Sequence, residues 1–261
     1  MNYRSHCCEP KTASFTADFN LSRLILNYIE ELFQFKKVSA KWKKTLFNYF
    51  LAKLESGIDE GYPETIVTYS KPLAASLKKN IATFSAFKET SFQKVLETLL
   101  VSEKGDLVPW NEFKKMALEV SGEYNVRWLE AEYHQTVATA NMAGKWQDFQ
   151  ENKDLYPNLR YSTVGDDRVR PEHRIWDGIV KPLNDPFWKD NLPPNDWGCR
   201  CNVVQTDEDE TDQPTGGTQL KIEFANNPGI TGKIFPTSTY EQELTKAEKA
   251  EAKKNLKDWT E

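Results

Sequence analysis

Three residues able to hold a soft metal ion fall within one short span of the sequence: His173, Cys199 and Cys201. Imidazole nitrogen and thiolate sulfur are the usual ligands of tetrahedral zinc. On a strand, alternate side chains share a face, so Cys199 and Cys201 project together with Cα atoms roughly 7 Å apart, close enough to chelate one ion. His173 becomes the third ligand if the loop 179–198 folds back, with Asp177 or water completing the tetrahedron. The alternative is a site without a cofactor, in which the two cysteines line a core as small apolar residues.

The same span holds Arg168 and Arg170 among Asp166, Asp167, Asp177 and Asp185. Arg170 precedes a proline and is held extended, and Arg168, two residues away, faces the same side if the strand geometry persists. Planar guanidinium forks match carboxylates, so a network of Arg–Asp pairs holding a long irregular loop is the structural expectation. A chemical alternative uses His173 as general base, Arg168 or Arg170 on an anionic substrate such as a nucleic acid or nucleotide, and Asp177 to orient the imidazole. No GxSxG elbow, GxxxxGKS phosphate loop or HExxH occurs, so no catalytic residue is assigned and the expectation is a non-enzyme. A further patch, FKKVSAKWKK, sets Lys36, Lys37, Lys41, Lys43 and Lys44 around Trp42. It reads either as a weak, sequence-independent contact to DNA phosphates or as a solvated helix face.

The elements that must position these residues follow from periodicity. Leu24, Tyr28, Leu32, Phe35 and then Trp42, Leu46, Tyr49, Phe50, Leu54 recur at helical spacing over residues 19–56, as two helices or one broken one, with Asp18 or Asn20 as N-cap. Gly57, Gly61 and Pro63 are expected to end that pattern in a connector. Residues 72–101 return to helical spacing, and Pro109 with Asn111 as N-cap opens another helix. Residues 123–150 carry the clearest stripe, Val126, Leu129, Tyr133, Val137, Ala140 and Gly144, with His134 beside it as an ordinary surface histidine. LRYSTV predicts a strand ending in a turn at Gly165, and PEHRIWD a two-turn helix stopped by Gly178. Residues 179–198, with Pro182, Pro186, Pro193 and Pro194, predict an ordered loop pinned by Phe187, Trp188 and Trp197, and CRCNVVQ a further strand.

The expected fold is α+β: a largely helical N-terminal half, then a small β-containing core with long ordered loops. Its parts are a disordered start (1–18), a helical region (19–122), a core of long helix plus β/loop motif (123–206), an acidic flexible linker (207–219) and a tail (220–261) whose Phe224, Ile230, Ile234 and Phe235 can dock back, ending in a charged, helix-prone stretch.

With 261 residues, 39% hydrophobic and 12% aromatic, the chain has enough apolar material for a folded core, which excludes a disordered polymer. No run approaches the roughly 18 apolar residues of a membrane span and the start lacks a signal-peptide core, so a cytoplasmic protein with no membrane partner is expected. Cys7 and Cys8, like Cys199 and Cys201, form close pairs rather than a dispersed disulfide framework, and all four are read as thiols. The charge of −5 is uneven, being +4 over residues 1–100, −4 over 101–203 and −5 over 204–261. That balance disfavours a dedicated nucleic-acid binder.

Residues 163–201, TVGDDRVRPEHRIWDGIVKPLNDPFWKDNLPPNDWGCRC, resemble the core of the phage Mu F-like family of head morphogenesis proteins. The resemblance rests on GDDRVRPEH, on Asp177 with Gly178, on DPFW, on PPN and on WGCRC. It extends to the preceding EYNVRWLEAEYHQTVATANMAGKW and to the trailing FANNPG, covering about residues 40–235. Trp176, Asp196 and His134 depart from the family's pattern. The motif core is then Asp166, Asp167, Arg168, Arg170, His173, Asp177, Gly178, Trp188 and Trp197. The resemblance implies a minor head protein of a tailed phage or prophage, associated with the portal in procapsid assembly, DNA packaging or ejection. It would be found in the host bacterial cytoplasm during assembly and then in the virion head. Domains of this family also occur ahead of toxins as delivery modules. With 58 residues after Val203, a fused toxin is not expected in this chain.

Overall fold

A computed structural model of the chain describes residues 19–212 and 220–260. Cys7, Cys8 and the expected N-cap Asp18 lie outside the described residues, as do residues 213–219 of the expected linker. The architecture is α+β. Four helices come first: α1 (Phe19–Phe35), α2 (Ala40–Gly61), α3 (Lys71–Thr98) and α4 (Trp110–Gly122). A π-helical turn over Glu123–Arg127 joins α4 to α5 (Trp128–Glu151) without a break. Thus the long helix starts at Trp110 rather than near residue 123, and Pro109 occupies the N-cap position while Asn111 lies inside the first turn. Asn20 likewise lies inside α1.

Gly57 and Gly61 do not end α2. A Cβ on Gly61 would stand 2.2 Å from the Val137 carbonyl oxygen, so the two glycines let α2 approach the α5 backbone closely. Of the small and apolar stripe of the long helix, Leu129, Ala140 and Gly144 are buried and Val126, Tyr133 and Val137 are half-buried.

Helix α3 is capped by Ser70, whose Oγ accepts from the Leu73 amide at 3.4 Å, with Pro72 in the first turn. Every residue from Phe84 to Gln93 is buried, because other helices surround this stretch. The tail, after the single turn α8 (Pro228–Thr231), supplies two of them, α9 (Thr239–Glu243) and α10 (Lys246–Thr260). Docking of the tail is fixed by polar contacts as well as burial. The Asn80 side chain accepts from the amides of Ile234 and Phe235 at 2.9 and 2.8 Å and donates to the Phe235 carbonyl at 2.9 Å. Ile234, Phe235, Tyr240 and Leu244 thus complete the helical core.

Charge is buried in that core. Lys88 Nζ lies 2.9 Å from Glu132 Oε1, with side-chain exposures of 0% and 4%, and the Tyr240 hydroxyl donates to the same oxygen at 2.5 Å. Tyr28 donates to Glu89 Oε1 at 2.7 Å.

A three-stranded antiparallel sheet in the order β2-β1-β3 forms the second layer, from β1 (Asn158–Ser162), β2 (Val180–Pro182) and β3 (Asn202–Thr206). Leu159 and Tyr161 of β1 alternate inward onto a separate apolar cluster with Trp176, Trp188 and Val203. Residues 179–198 are more regular than their prolines suggest, since they contain β2 and the short helix α7 (Phe187–Asp190). The acidic segment after β3 first meets β1, where the Glu208 carbonyl accepts from the Asn158 side chain at 2.8 Å, and reaches β2 at Thr211, whose amide donates to the Val180 carbonyl at 3.1 Å. No helix among the described residues is long and apolar enough to cross a membrane.

Candidate metal centre

His173 sits in α6 (Pro171–Arg174), a single turn opened by Pro171. Its ring is 2% exposed and stacks at 11° on Trp176, with centroids 6.0 Å apart. Gly178, at φ +79°, turns the chain back so that its amide donates to the Tyr161 carbonyl at 2.9 Å; the short helix is thereby tied to β1.

The cysteines reach His173 by a different route from the one their alternation suggests. Cys199 and Cys201 precede β3 and are not part of it. Asp196 starts a tight turn: its Oδ1 accepts from the Trp197 amide at 2.8 Å, its carbonyl accepts from the Cys199 amide at 3.0 Å, and Gly198 takes φ +65°. The turn curls both thiols toward α6. Cys199 Sγ lies 3.7 Å and Cys201 Sγ 3.9 Å from His173 Nδ1, and the three ligand atoms all lie within 4.8 Å of one another. Tetrahedral zinc, with bonds of about 2.0 Å to nitrogen and 2.3 Å to sulfur, sets N and S about 3.5 Å apart. The donor set and the spacing both fit such an ion. A cavity of about 10 Å³, bounded by Val169, Arg170, His173 and the two cysteines, adjoins the cluster; that is room for an ion or one water.

The thiols share a proton unequally. A hydrogen bond from Cys201, with a further one from His173, holds Cys199 well below the ordinary thiol range against the opposing effect of burial, and the Cys201 thiol is pushed up by its neighbour and by burial. Asp177 is not one of the converging groups. It is exposed, and its Oδ1 accepts from the Thr163 amide at 2.7 Å; it neither completes the tetrahedron nor orients the imidazole. Water or a group from another molecule is left for the fourth position.

Arg168 and Arg170 diverge because the segment is a turn and not a strand, with Val169 buried between them. Arg170 crosses to the WGCRC turn, donating to the Trp197 carbonyl at 2.7 Å and pairing with Asp196 at 3.1 Å. Arg168 stays exposed beside Asp166 at 3.4 Å. Arg200 is the stronger partner of Asp166, through two hydrogen bonds of 2.8 and 2.7 Å that hold its carboxyl down to about 2. Asp167 is exposed. Asp185, just before α7, accepts from the Phe187 amide at 2.8 Å, Trp188 is fully buried with its indole N–H donating to the Pro182 carbonyl at 3.0 Å, and Trp197 packs edge-on to Phe224. The general-base arrangement of His173 with Arg168 or Arg170 thus lacks Asp177 as the group that orients the imidazole, although both arginines border the same small cavity as His173.

Sequence reasoning missed Arg200, Asp196, Lys221 and Tyr161. Arg200 stands between the cysteines and points away from them to Asp166. Asp196 also takes Lys221 at 3.2 Å, a partner from beyond the linker that no local pattern reveals. Asp196 itself had a signal, since Asn-Asp before Trp-Gly is turn chemistry. Tyr161 donates to Asn195 at 2.8 Å.

Among the lysines, Lys43 is not part of an open patch. It is 8% exposed and pairs with Glu251 of α10 at 2.9 Å. Lys37, Lys41 and Lys44 are exposed, Lys41 lies 4.6 Å over the Trp42 ring, and Lys36 donates to the Phe33 carbonyl at the end of α1. His134 is exposed against Tyr133.

Residues 110–204 match the family described as Phage Mu protein F like protein. The chain is 40% identical over 120 residues, 43% of its length, to protein F of Escherichia phage Mu, a name that assigns that protein provisionally to capsid assembly. It is 41% identical over 70 residues, 27% of its length, to the Mu-like prophage FluMu F protein of Haemophilus influenzae. The matches span 27% and 17% of those two proteins' own lengths. No solved structure gives a significant match.

Proposed function

We propose that this chain, whose residues 110–204 are a Mu F-like region, is a minor head protein of a tailed phage or prophage. In this reading it docks on the portal or another head protein and acts in head assembly, DNA packaging or ejection. The observation behind it is the agreement between the matched segment and one structural unit. Trp110 opens α4 and Val204 lies within β3, so the match takes in the long helix, the sheet and the His173–Cys199–Cys201 cluster. The name of the phage Mu relative gives the direction.

Within this proposal the cluster is structural. A zinc ion there would tie α6 to the turn before β3, at the point where the Arg170–Asp196 and Arg200–Asp166 pairs already join the same two segments. The neighbouring cavity of about 10 Å³ has room for an ion or one water. Exposed Lys37, Lys41 and Lys44 would add at most a weak DNA contact that weakens steeply with salt.

Co-expression with the portal protein of the same genome, followed by size-exclusion chromatography at physiological salt, tests the reading. Co-elution at micromolar concentration is expected. Separate elution under those conditions counts against it.

A further inference from the structure

A cavity of about 360 Å³ opens where the helical half, the WGCRC turn and the C-terminal tail meet, and none of its lining residues is a ligand of the metal centre. Five aromatic rings line it in a continuous arc. Trp128 and Tyr240 have centroids 6.3 Å apart, Tyr240 meets Phe84 edge-on at 5.5 Å, Phe84 stacks on Phe235 at 4.2 Å, and Phe235 lies 5.9 Å from Trp197.

The remaining wall carries Glu132, Glu223 and Glu243, and none of the lining residues is basic. Glu132 is 3% exposed, and while its Oε1 is taken by Lys88 and Tyr240, its buried Oε2 has no hydrogen-bond partner among the described residues. A buried acceptor left unpaired costs free energy that a bound donor recovers. Trp128 is 42% exposed, so part of its ring surface is open to a ligand.

Aromatic faces carry negative quadrupole charge and attract cations, most strongly when the site is desolvated, and several rings around one cation form the cages that recognise alkylated ammonium groups. The volume lies within the range of ligand pockets and is ample for one amine-bearing chain. We propose that this cavity binds an organic cation, an alkylammonium or guanidinium group, seated against the aromatic arc and facing the three carboxylates. The proposal is independent of the head-protein reading. Such a group has two sources, a free polyamine or the Lys or Arg side chain of a protein partner.

The test is calorimetric titration of the full chain with n-butylammonium, n-butylguanidinium and tetramethylammonium, against n-pentanol as a neutral chain of similar size. Cations are expected to bind at least tenfold more tightly than the alcohol. Trp128→Ala and the double variant Glu223→Gln, Glu243→Gln are each expected to weaken cation binding at least tenfold while leaving the denaturation midpoint close to that of the parent. These variants spare the buried Glu132, whose replacement could unfold the core. Equal binding of pentanol, no cation binding, or cation binding unchanged in folded Trp128→Ala would each overturn the proposal. Spermidine and a lysine-containing peptide titrated in parallel distinguish the sources: preference for spermidine assigns a free polyamine, and preference for the peptide assigns a partner's side chain.

Discussion

Cys199 Sγ lies 3.7 Å from His173 Nδ1 although 26 residues separate the two in the chain. The intervening segment crosses the sheet as β2, makes the α7 turn and returns through the Asp196 turn before the thiol arrives. So long a path brought back to one atom pair implies that whatever holds the pair together also holds the loop.

Zinc is expected in untagged protein at about one ion per chain, the stoichiometry of a single Cys₂His site. In the double variant Cys199→Ser, Cys201→Ser the metal should be absent and the thermal midpoint lower, and a strong chelator should lower the midpoint of the parent but not of the variant. Metal-free parent protein that unfolds cooperatively, with a midpoint unmoved by chelator, would show that the cluster is only a thiol–imidazole contact.

Two aspartates of the same motif should behave differently. Asp196, whose side chain is 10% exposed, joins Arg170, Lys221 and the Trp197 amide. Replacing it by Ala leaves Arg170 with only the Trp197 carbonyl and no carboxylate, an expected loss of about 2–4 kcal/mol in urea denaturation. Asp166 is half-exposed, and its pairs with Arg200 and Arg168 lie at the surface, where ion pairs contribute little. Asp166→Ala should leave the midpoint almost unchanged. Equal losses from the two variants would contradict this assignment.

The buried pair in the helical core offers a cycle. Lys88→Met strands the Glu132 carboxylate, which is 3% exposed, and should cost about 3–5 kcal/mol. Adding Glu132→Leu removes the stranded charge and should restore more than half of that loss. A double variant as unstable as the sum of the singles would show that the two groups do not act as a pair.

Stability should also vary with pH through Glu89. Burial raises its carboxyl from 4.5 to about 7, against the Tyr28 hydrogen bond and the Lys43 charge, which lower it. The folded state therefore holds the proton more tightly than the unfolded chain. This group's contribution is complete below about pH 4.5 and is lost as pH rises through about 7, a change of roughly 3 kcal/mol. Glu89→Gln keeps a neutral side chain beside Tyr28 and should flatten the dependence between pH 5 and pH 8 in urea midpoints. Parallel curves for parent and variant would rule Glu89 out as the source.

The helical half was legible in the sequence because one face repeats every three or four residues, and Leu32, Leu46, Leu54, Leu77 and Ile81 are buried as that spacing requires. His173, Cys199 and Cys201 stand out by residue type alone, and the motif resemblance adds the family expectation for residues 163–201. Local rules fell short where one residue's partner lies far along the chain. Gly57 and Gly61 are helix breakers by propensity, yet they stay helical because α5 packs against them, and Lys43 looks like part of a basic patch until α10 brings Glu251 to it. The cysteines were paired with His173 on the assumption of a strand, whereas the Asp196 turn brings them together. The aromatic arc of Trp128, Tyr240, Phe84, Phe235 and Trp197 had no trace in one dimension, because its rings come from two helices, a turn and the docked tail. Periodicity encodes which face of an element is buried; it does not encode which distant element buries it, and that choice is made only when the whole chain packs.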